Sequence, residues 1–145
     1  SPEAIWLMEQ EKNHSIYSRH SFTSFHENVN RQKIDLVCLL QELKKSGNTV
    51  IGYGASTKGN VILQYCGIGP DLLPFIGDIT PFKDGVFTPG TKIPVITMEK
   101  AKAMNPDYFL VLPWAFRNDI LLREKETLQN GTKLIFPLPF VEIVS

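Results

Sequence analysis

Apolar residues recur along the first part of the chain at the spacing of a helix. After start signals near Ser18 to Ser21, Phe22, Phe25, Val29, Leu36, Leu40 and Leu43 follow at three-, four- or seven-residue steps, one face of a helical period. The run predicts one unbroken helix over about 21–46, ended by Gly47 just past its C-terminus. Ahead of it, Ser1-Pro2-Glu3 supplies a cap, a first-turn proline and an early acid, so AIWLMEQEK predicts a further helix to about Asn13. Beyond Gly47 the pattern shortens. NTVIGYG, LLPFIGD, KIPVI, DYFLVLPW and TKLIFPLPFVEIV are short apolar or β-branched runs bounded by Gly and Pro, which read as strands. The first of the runs between them, KGNVILQYC, is helical and closed by Gly67. TMEKAKAM is a second helix with Thr97 as its cap, stopped by Pro106, and FRNDILLREKETLQN is a third, amphipathic and ended by Gly131. TPFKDGVFTPGTK crowds proline and glycine and predicts a long loop.

Strands alternating with helices, the strands apolar enough to be covered on both faces, predict an α/β fold. Its sheet is expected to be mostly parallel and flanked by helices, with N-terminal helices preceding it. The N-terminal helices are expected to pack on the sheet or to connect from a preceding domain; on the second reading residues 1–20 are a helical lead-in and 21–145 the domain itself. At 145 residues, 43% hydrophobic and 21% charged, the chain suffices for one such domain with a real core. Fifteen basic residues against fifteen acidic ones leave no net charge, which argues against a nucleic-acid binder acting through bulk electrostatics. No apolar run approaches the ~20 residues of a membrane span, and no secretory leader is visible, so a cytoplasmic setting is expected, without membrane contact. Cys38 and Cys66 lie in apolar, helix-like segments and are expected to be buried free thiols. Neither belongs to a Cys/His cluster of metal-ligand spacing, so no metal site is expected. The chain opens on Ser-Pro-Glu rather than Met, which leads us to expect a piece of something longer.

The chemistry concentrates in GYGASTKG, residues 52–59, between the first strand and its helix. Glycines there permit a tight turn and close backbone approach, and the helix N-terminus behind them offers unpaired N–H groups to an anion. Ser56 and Thr57 add hydroxyls and Lys58 a positive charge. A P-loop requires lysine directly after its second glycine, and here Lys58 precedes Gly59, so that reading fails. The dinucleotide fingerprint requires glycine where this chain has Thr57, and Gly59 arrives two residues late. An acid at the end of the second strand would bind a ribose in such a site, and Asp78 stands there. From the residues alone, a nucleotide or phosphate site and a tight turn bearing a solvated lysine both remain open.

Four blocks taken in order are more specific. VIGYGASTKGNVILQYCGI, DITPFKDGVFTPGTKIPV, PDYFLVLPWAFRNDI and GTKLIFPLP resemble the C-terminal domain of sugar C-methyltransferases, enzymes that methylate keto-deoxyhexoses carried on a nucleoside diphosphate. The resemblance spans roughly residues 20–140. It implies a three-part protein: a zinc-binding N-terminal domain, a central S-adenosylmethionine domain holding a Tyr/Glu/His acid–base group, and this Rossmann-like domain, with the sugar nucleotide between them. It implies further that a proton beside the keto group is abstracted and that the enolate carbon takes the methyl group. On that basis no catalytic residue and no cofactor are expected in this chain, which alone would be inactive. His14, His20 and His26 sit six residues apart, off any single helical face, and read as surface residues of the leading helices.

Carried over residue by residue, the resemblance implies that Tyr53, Gly54, Ala55, Ser56, Thr57, Lys58 and Gly59 face a cleft holding a nucleoside diphosphate sugar, with Lys58 near phosphate. Asp78 would meet the ribose. Trp114 would stack on the base or line the sugar pocket, with core packing as the alternative. Arg117 would meet phosphate or be a solvated surface residue. Relatives often carry a polar residue where this chain has Ala115, and an asparagine where it has Thr80. The loop Thr88-Pro89-Gly90-Thr91 is expected to be structural. The other partner implied is the methyl-donor domain of the longer protein. Two further readings stand beside this one: a free-standing domain binding NAD or S-adenosylmethionine in GYGASTKG, and a scaffold domain that has lost its ligand.

Overall fold

The computed structural model describes residues 18–80 and 84–145, with side chains from residue 30 onward. The helix expected over residues 1–13 and the side chains of His14, His20 and His26 lie outside the described residues. The chain divides into two units, Ser1–Arg31 and Gln32–Ser145. Helix α1 spans Ser18–Lys45, as its apolar period predicts. It stops at Gly47, which adopts φ +80°, while the Asn48 N–H donates to the Leu43 carbonyl at 2.9 Å in a Schellman closure. Leu36, Leu40 and Leu43 form its buried row. Cys38 is exposed, contrary to expectation, because it falls off that row, and Cys66 is half-buried, its thiol pushed up by burial.

The second unit is built on a six-stranded sheet. Its strands are β1 (Val50–Tyr53), β2 (Ile76–Asp78), β3 (Val95–Thr97), β4 (Tyr108–Val111), β5 (Lys133–Phe136) and β6 (Glu142–Val144). They lie in the order β3-β2-β1-β4-β5-β6, each pair parallel except the last, β5 with β6. This is the doubly wound arrangement, and its order reverses between β1 and β4. The helices are α2 (Thr57–Cys66), α3 (Met98–Ala103), α4 (Arg117–Arg123) and α5 (Lys125–Gln129). Among the described residues no helix is long and apolar enough to cross a membrane.

Side chains alternate across the sheet with a period of two residues. Val50, Leu110 and Ile135 enter one core with Leu36, Leu40 and Leu63. Ile51, Tyr53, Phe109, Val111, Leu134 and Phe136 enter the other with Met98, Ala101 and Ile120. Each fully buried Leu, Ile or Phe contributes roughly 1.5–3 kcal/mol relative to exposure. Two helix signals read from the sequence hold in place. Gly67 closes α2 at φ 67°, and the Thr97 hydroxyl caps α3 by accepting from the Lys100 N–H at 3.2 Å.

Between β2 and β3 the described residues form a loop in place of a helix. The loop is pinned to α2: Gln64 Nε2 and Asn60 Nδ2 donate to the Pro89 carbonyl at 2.9 and 3.1 Å, and Thr91 Oγ1 donates to Asn60 Oδ1 at 2.9 Å. This is the structural role expected of Thr88-Pro89-Gly90-Thr91. The last amphipathic run departs from expectation. Instead of one helix it forms a 3-10 turn at Trp114–Phe116, then α4, then a break at Glu124, then α5. Glu124 has φ −103° and ψ 23° there, and its carboxylate is buried against partners from β1 and α3. A periodic pattern cannot show a break that such distant partners stabilise.

Helix α2 lies very close to β4, because a Cβ on Gly59 would fall 2.4 Å from Leu112 Cβ and 3.0 Å from its Cα. Gly59→Ala is therefore expected to force the helix off the strand and lower stability by about 1–3 kcal/mol, read as a lower urea midpoint at unchanged slope. Gly67→Ala, where nothing lies within 4 Å and only the left-handed backbone resists, is the comparison, at about 1 kcal/mol. A Gly59→Ala midpoint at or above that of Gly67→Ala would show that the close packing carries no cost.

Candidate functional site

In a doubly wound sheet the crevice for a ligand opens beyond the carboxyl ends of the strands where their order reverses. GYGASTKG occupies that position, between the ends of β2 and β4. Gly54 turns the chain at φ +82°, and a Cβ there would meet Pro113 Cδ at 2.8 Å, so position 54 requires glycine both for its backbone and for its space. Its N–H donates to the Gly77 carbonyl at 2.8 Å, which ties the loop to the end of β2. Ser56 is the N-cap of α2, its hydroxyl accepting from the Gly59 N–H at 3.0 Å. Thr57 and Lys58 follow in the first turn, both exposed. Gly59, two residues later than the dinucleotide pattern places it, performs the third glycine's task of close helix–strand packing.

A groove opens on either side of this helix start. One, of about 340 Å³, lies between Thr57 and Lys58 on one wall and Pro113, Trp114 and Phe116 on the other. The second, of about 200 Å³ and mostly apolar, separates Ala55 and Ser56 from Phe87 and Pro89. Trp114 is half-buried, and its indole N–H is buried without a hydrogen-bond partner among the described residues. Val86, Phe87, Ile79 and Phe116 stay exposed near the loop or in the segments that flank it. Among the described residues no group of three or more His, Cys, Asp or Glu could hold a metal ion.

The structure thus brings together Gly54, Ala55, Ser56, Thr57, Lys58, Gly59, Asp78 and Trp114. Two other candidates point elsewhere. Tyr53, expected at the cleft, is 3% exposed and enters the opposite core, since one step along a strand reverses the side chain. Its hydroxyl donates to Glu124 Oε1 at 2.8 Å. Arg117, expected at phosphate or free in solvent, pairs with Glu142 at the start of β6 and lies 5.3 Å from the centre of the Phe136 ring. Asp78 is at the loop but faces inward. Its Oδ2 accepts from the Ala55 N–H at 2.8 Å and its Oδ1 from the Thr80 N–H at 2.7 Å. The carboxylate expected at a ribose is engaged by backbone.

Sequence reasoning missed the buried acid. Glu124 is 2% exposed and accepts from Tyr53, from Thr127 Oγ1 at 2.7 Å and from Lys102, whose ammonium lies 2.8 Å from Oε2. A signal existed: Glu124 stands four residues after Ile120 and four before Leu128, in the apolar row of the single helix expected there. Burial pushes its carboxyl up, but the hydrogen bonds from Lys102, Thr127 and Tyr53 and the Lys102 charge outweigh burial and hold it below the usual glutamate value. Burial, then the bond to Glu124, pushes the Tyr53 phenol well up. A polar cavity of about 220 Å³ beside Glu124 is bordered by Pro106 and Thr132, which precede β4 and β5, so it opens at the amino ends of those strands, away from the loop.

The family model for C-methyltransferase C-terminal domains matches residues 1–139. Over 144 residues, 99% of this chain, the sequence is 33% identical to C-methyltransferase NovU of Streptomyces niveus, of which the match covers 34%. The chain therefore spans about a third of the length of that curated relative.

Because the folded Glu124 carboxyl titrates below its unfolded value of about 4.3, the stability it contributes is complete above that pH and is lost as pH falls through the lowered folded value. Glu124→Gln is expected to cost about 1–3 kcal/mol at pH 7, a difference that shrinks as urea titrations are repeated below about pH 4. A difference that is independent of pH would remove the charge from the explanation.

Proposed function

The chain belongs to the family of C-methyltransferase C-terminal domains, and from that premise we propose that it is the substrate-side domain of an S-adenosylmethionine-dependent enzyme acting on a nucleotide-linked keto-deoxysugar. The observation that carries this reading is the exposed Lys58 in the first turn of α2, at the switch point of the sheet, with a groove on each side. An ammonium beside a helix N-terminus suits a phosphate, and the groove under Trp114 suits a flat ring or a sugar face. The domain's contribution is binding and orientation, which removes entropy from the reaction of two bound partners. The base that removes the proton belongs to another part of the longer protein, and this domain alone is inactive. The cytoplasmic setting expected from the sequence belongs to the same proposal.

The residues present do not fit the methyl donor at this loop. An adenosyl cofactor in the usual pose requires a carboxylate at the end of β2 turned toward its ribose, and Asp78 is turned toward the Ala55 and Thr80 amides. S-adenosylmethionine is accordingly assigned to the preceding domain. The same geometry disfavours a free-standing NAD- or S-adenosylmethionine-binding domain.

In the complete enzyme, Lys58→Ala is expected to weaken affinity for the nucleoside diphosphate sugar about tenfold, about 1.4 kcal/mol, and to leave affinity for S-adenosylmethionine unchanged. Calorimetric titration of each ligand separately checks this. Equal loss of both affinities would count against the assignment, as would tight binding of the methyl donor by this domain without the rest of the protein.

A further inference from the structure

The loop's shape is that of an anion site, yet its inner amide already has an anion. β1 and β2 run parallel with Tyr53 opposite Gly77, so the next step along each places Gly54 beside Asp78. The Gly54 N–H closes on the Gly77 carbonyl at 2.8 Å. That contact sets the following amide, Ala55, against the Asp78 carboxylate at 2.8 Å, and Asp78 is only 6% exposed. The second carboxylate oxygen holds the Thr80 N–H at 2.7 Å, which turns the chain away from the end of β2 and fixes the acid's own orientation. In a dinucleotide site the loop amides take the pyrophosphate and the acid takes the ribose, so each binds the ligand. In this chain the two halves of such a site bind each other.

We infer that Asp78 is the resident anion of the glycine loop, a positioning residue that holds Gly54 to Ser56 in shape before a ligand arrives and keeps a ligand's phosphate off the Ala55 amide. The inference does not depend on the substrate proposed above. A phosphate oxygen reaches that amide only by displacing a buried carboxylate from two charge-assisted hydrogen bonds. The groups left facing solvent are those of Thr57 and Lys58, next to the groove under Trp114. Anion binding is thereby moved outward along α2 by about a turn. Hydrogen bonds from Gly54 to Gly77 and from Ala55 to Asp78 brace the left-handed turn at Gly54 from within the protein, and preorganisation of this kind removes an ordering cost from binding.

The test uses the full-length protein with selective nitrogen-15 labels at alanine and lysine, inorganic pyrophosphate as the probe, and the variant Asp78→Asn. In the wild type the Ala55 amide is expected to lie downfield, to exchange slowly with solvent in the absence of ligand, and to stay in place when pyrophosphate is added. In Asp78→Asn the downfield shift is lost, pyrophosphate now moves Ala55, and pyrophosphate affinity rises at least tenfold. A residue that only supported the fold would lower affinity when replaced. Pyrophosphate moving Ala55 in the wild type overturns the inference, and so does an unchanged or weaker affinity in the variant. Should Asp78→Asn not fold, the wild type decides alone: an Ala55 amide that exchanges at the unprotected rate in the ligand-free protein overturns the inference, and a protected one that pyrophosphate leaves in place supports it. Loss of sugar-nucleotide binding in Lys58→Ala bears on the proposed substrate and leaves this outcome untouched.

Discussion

Close approach of backbone to its neighbours around the first strand is the constraint on which the rest of this domain depends. A Cβ at position 52 would fall 2.7 Å from Ile76 Cγ1, at 54 2.8 Å from Pro113 Cδ, and at 59 2.4 Å from Leu112 Cβ. With glycine at these positions, β1, its loop and α2 lie flush between β2 on one side and β4 on the other. Any larger residue would separate them by tenths of an ångström, and packed interiors resist even that. The alignment of loop amides with the end of β2 follows from this closeness. So does the reach of Asp78 to Ala55, since a short side chain can bridge the two strands only if their ends are held at sheet spacing.

The sheet keeps two polar systems apart. At the carboxyl ends lie the loop, Asp78, Lys58 and the two grooves, with exposed apolar residues around them. On the covered face lie Tyr53, Glu124, Lys102 and Thr127, which bond to one another and join β1, α3 and the turn between α4 and α5. Tyr53 belongs to the second system although its neighbour Gly54 begins the first. Burying a carboxylate is costly unless its lone pairs are used, and Glu124 has three donors. This network acts as an anchor for the helical face opposite α2, its members bonded to one another. The function proposed above draws on this combination of a self-satisfied loop and an exposed cation.

From residue 18 onward the order and kind of the elements were legible in the sequence, apart from the break at Glu124. Glycine and proline marked where helices and strands stop, the step between apolar residues distinguished helix from strand, and continuous apolar runs marked the parallel strands covered on both sides. Those signals are local, acting over a few residues of backbone, and they survive in the structure at Gly47, Gly67 and Thr97. The place of the glycine loop followed from the order of elements, because the first strand-to-helix turn of a doubly wound sheet lies at its switch point. Only the tertiary structure decided what each side chain meets: Tyr53 meets Glu124, Arg117 meets Glu142, and Asp78 meets the loop it was expected to serve from across a ligand. Such pairings join residues 23 to 71 positions apart, and strand register and packing, which no short window contains, determine which polar atoms come within about 3 Å.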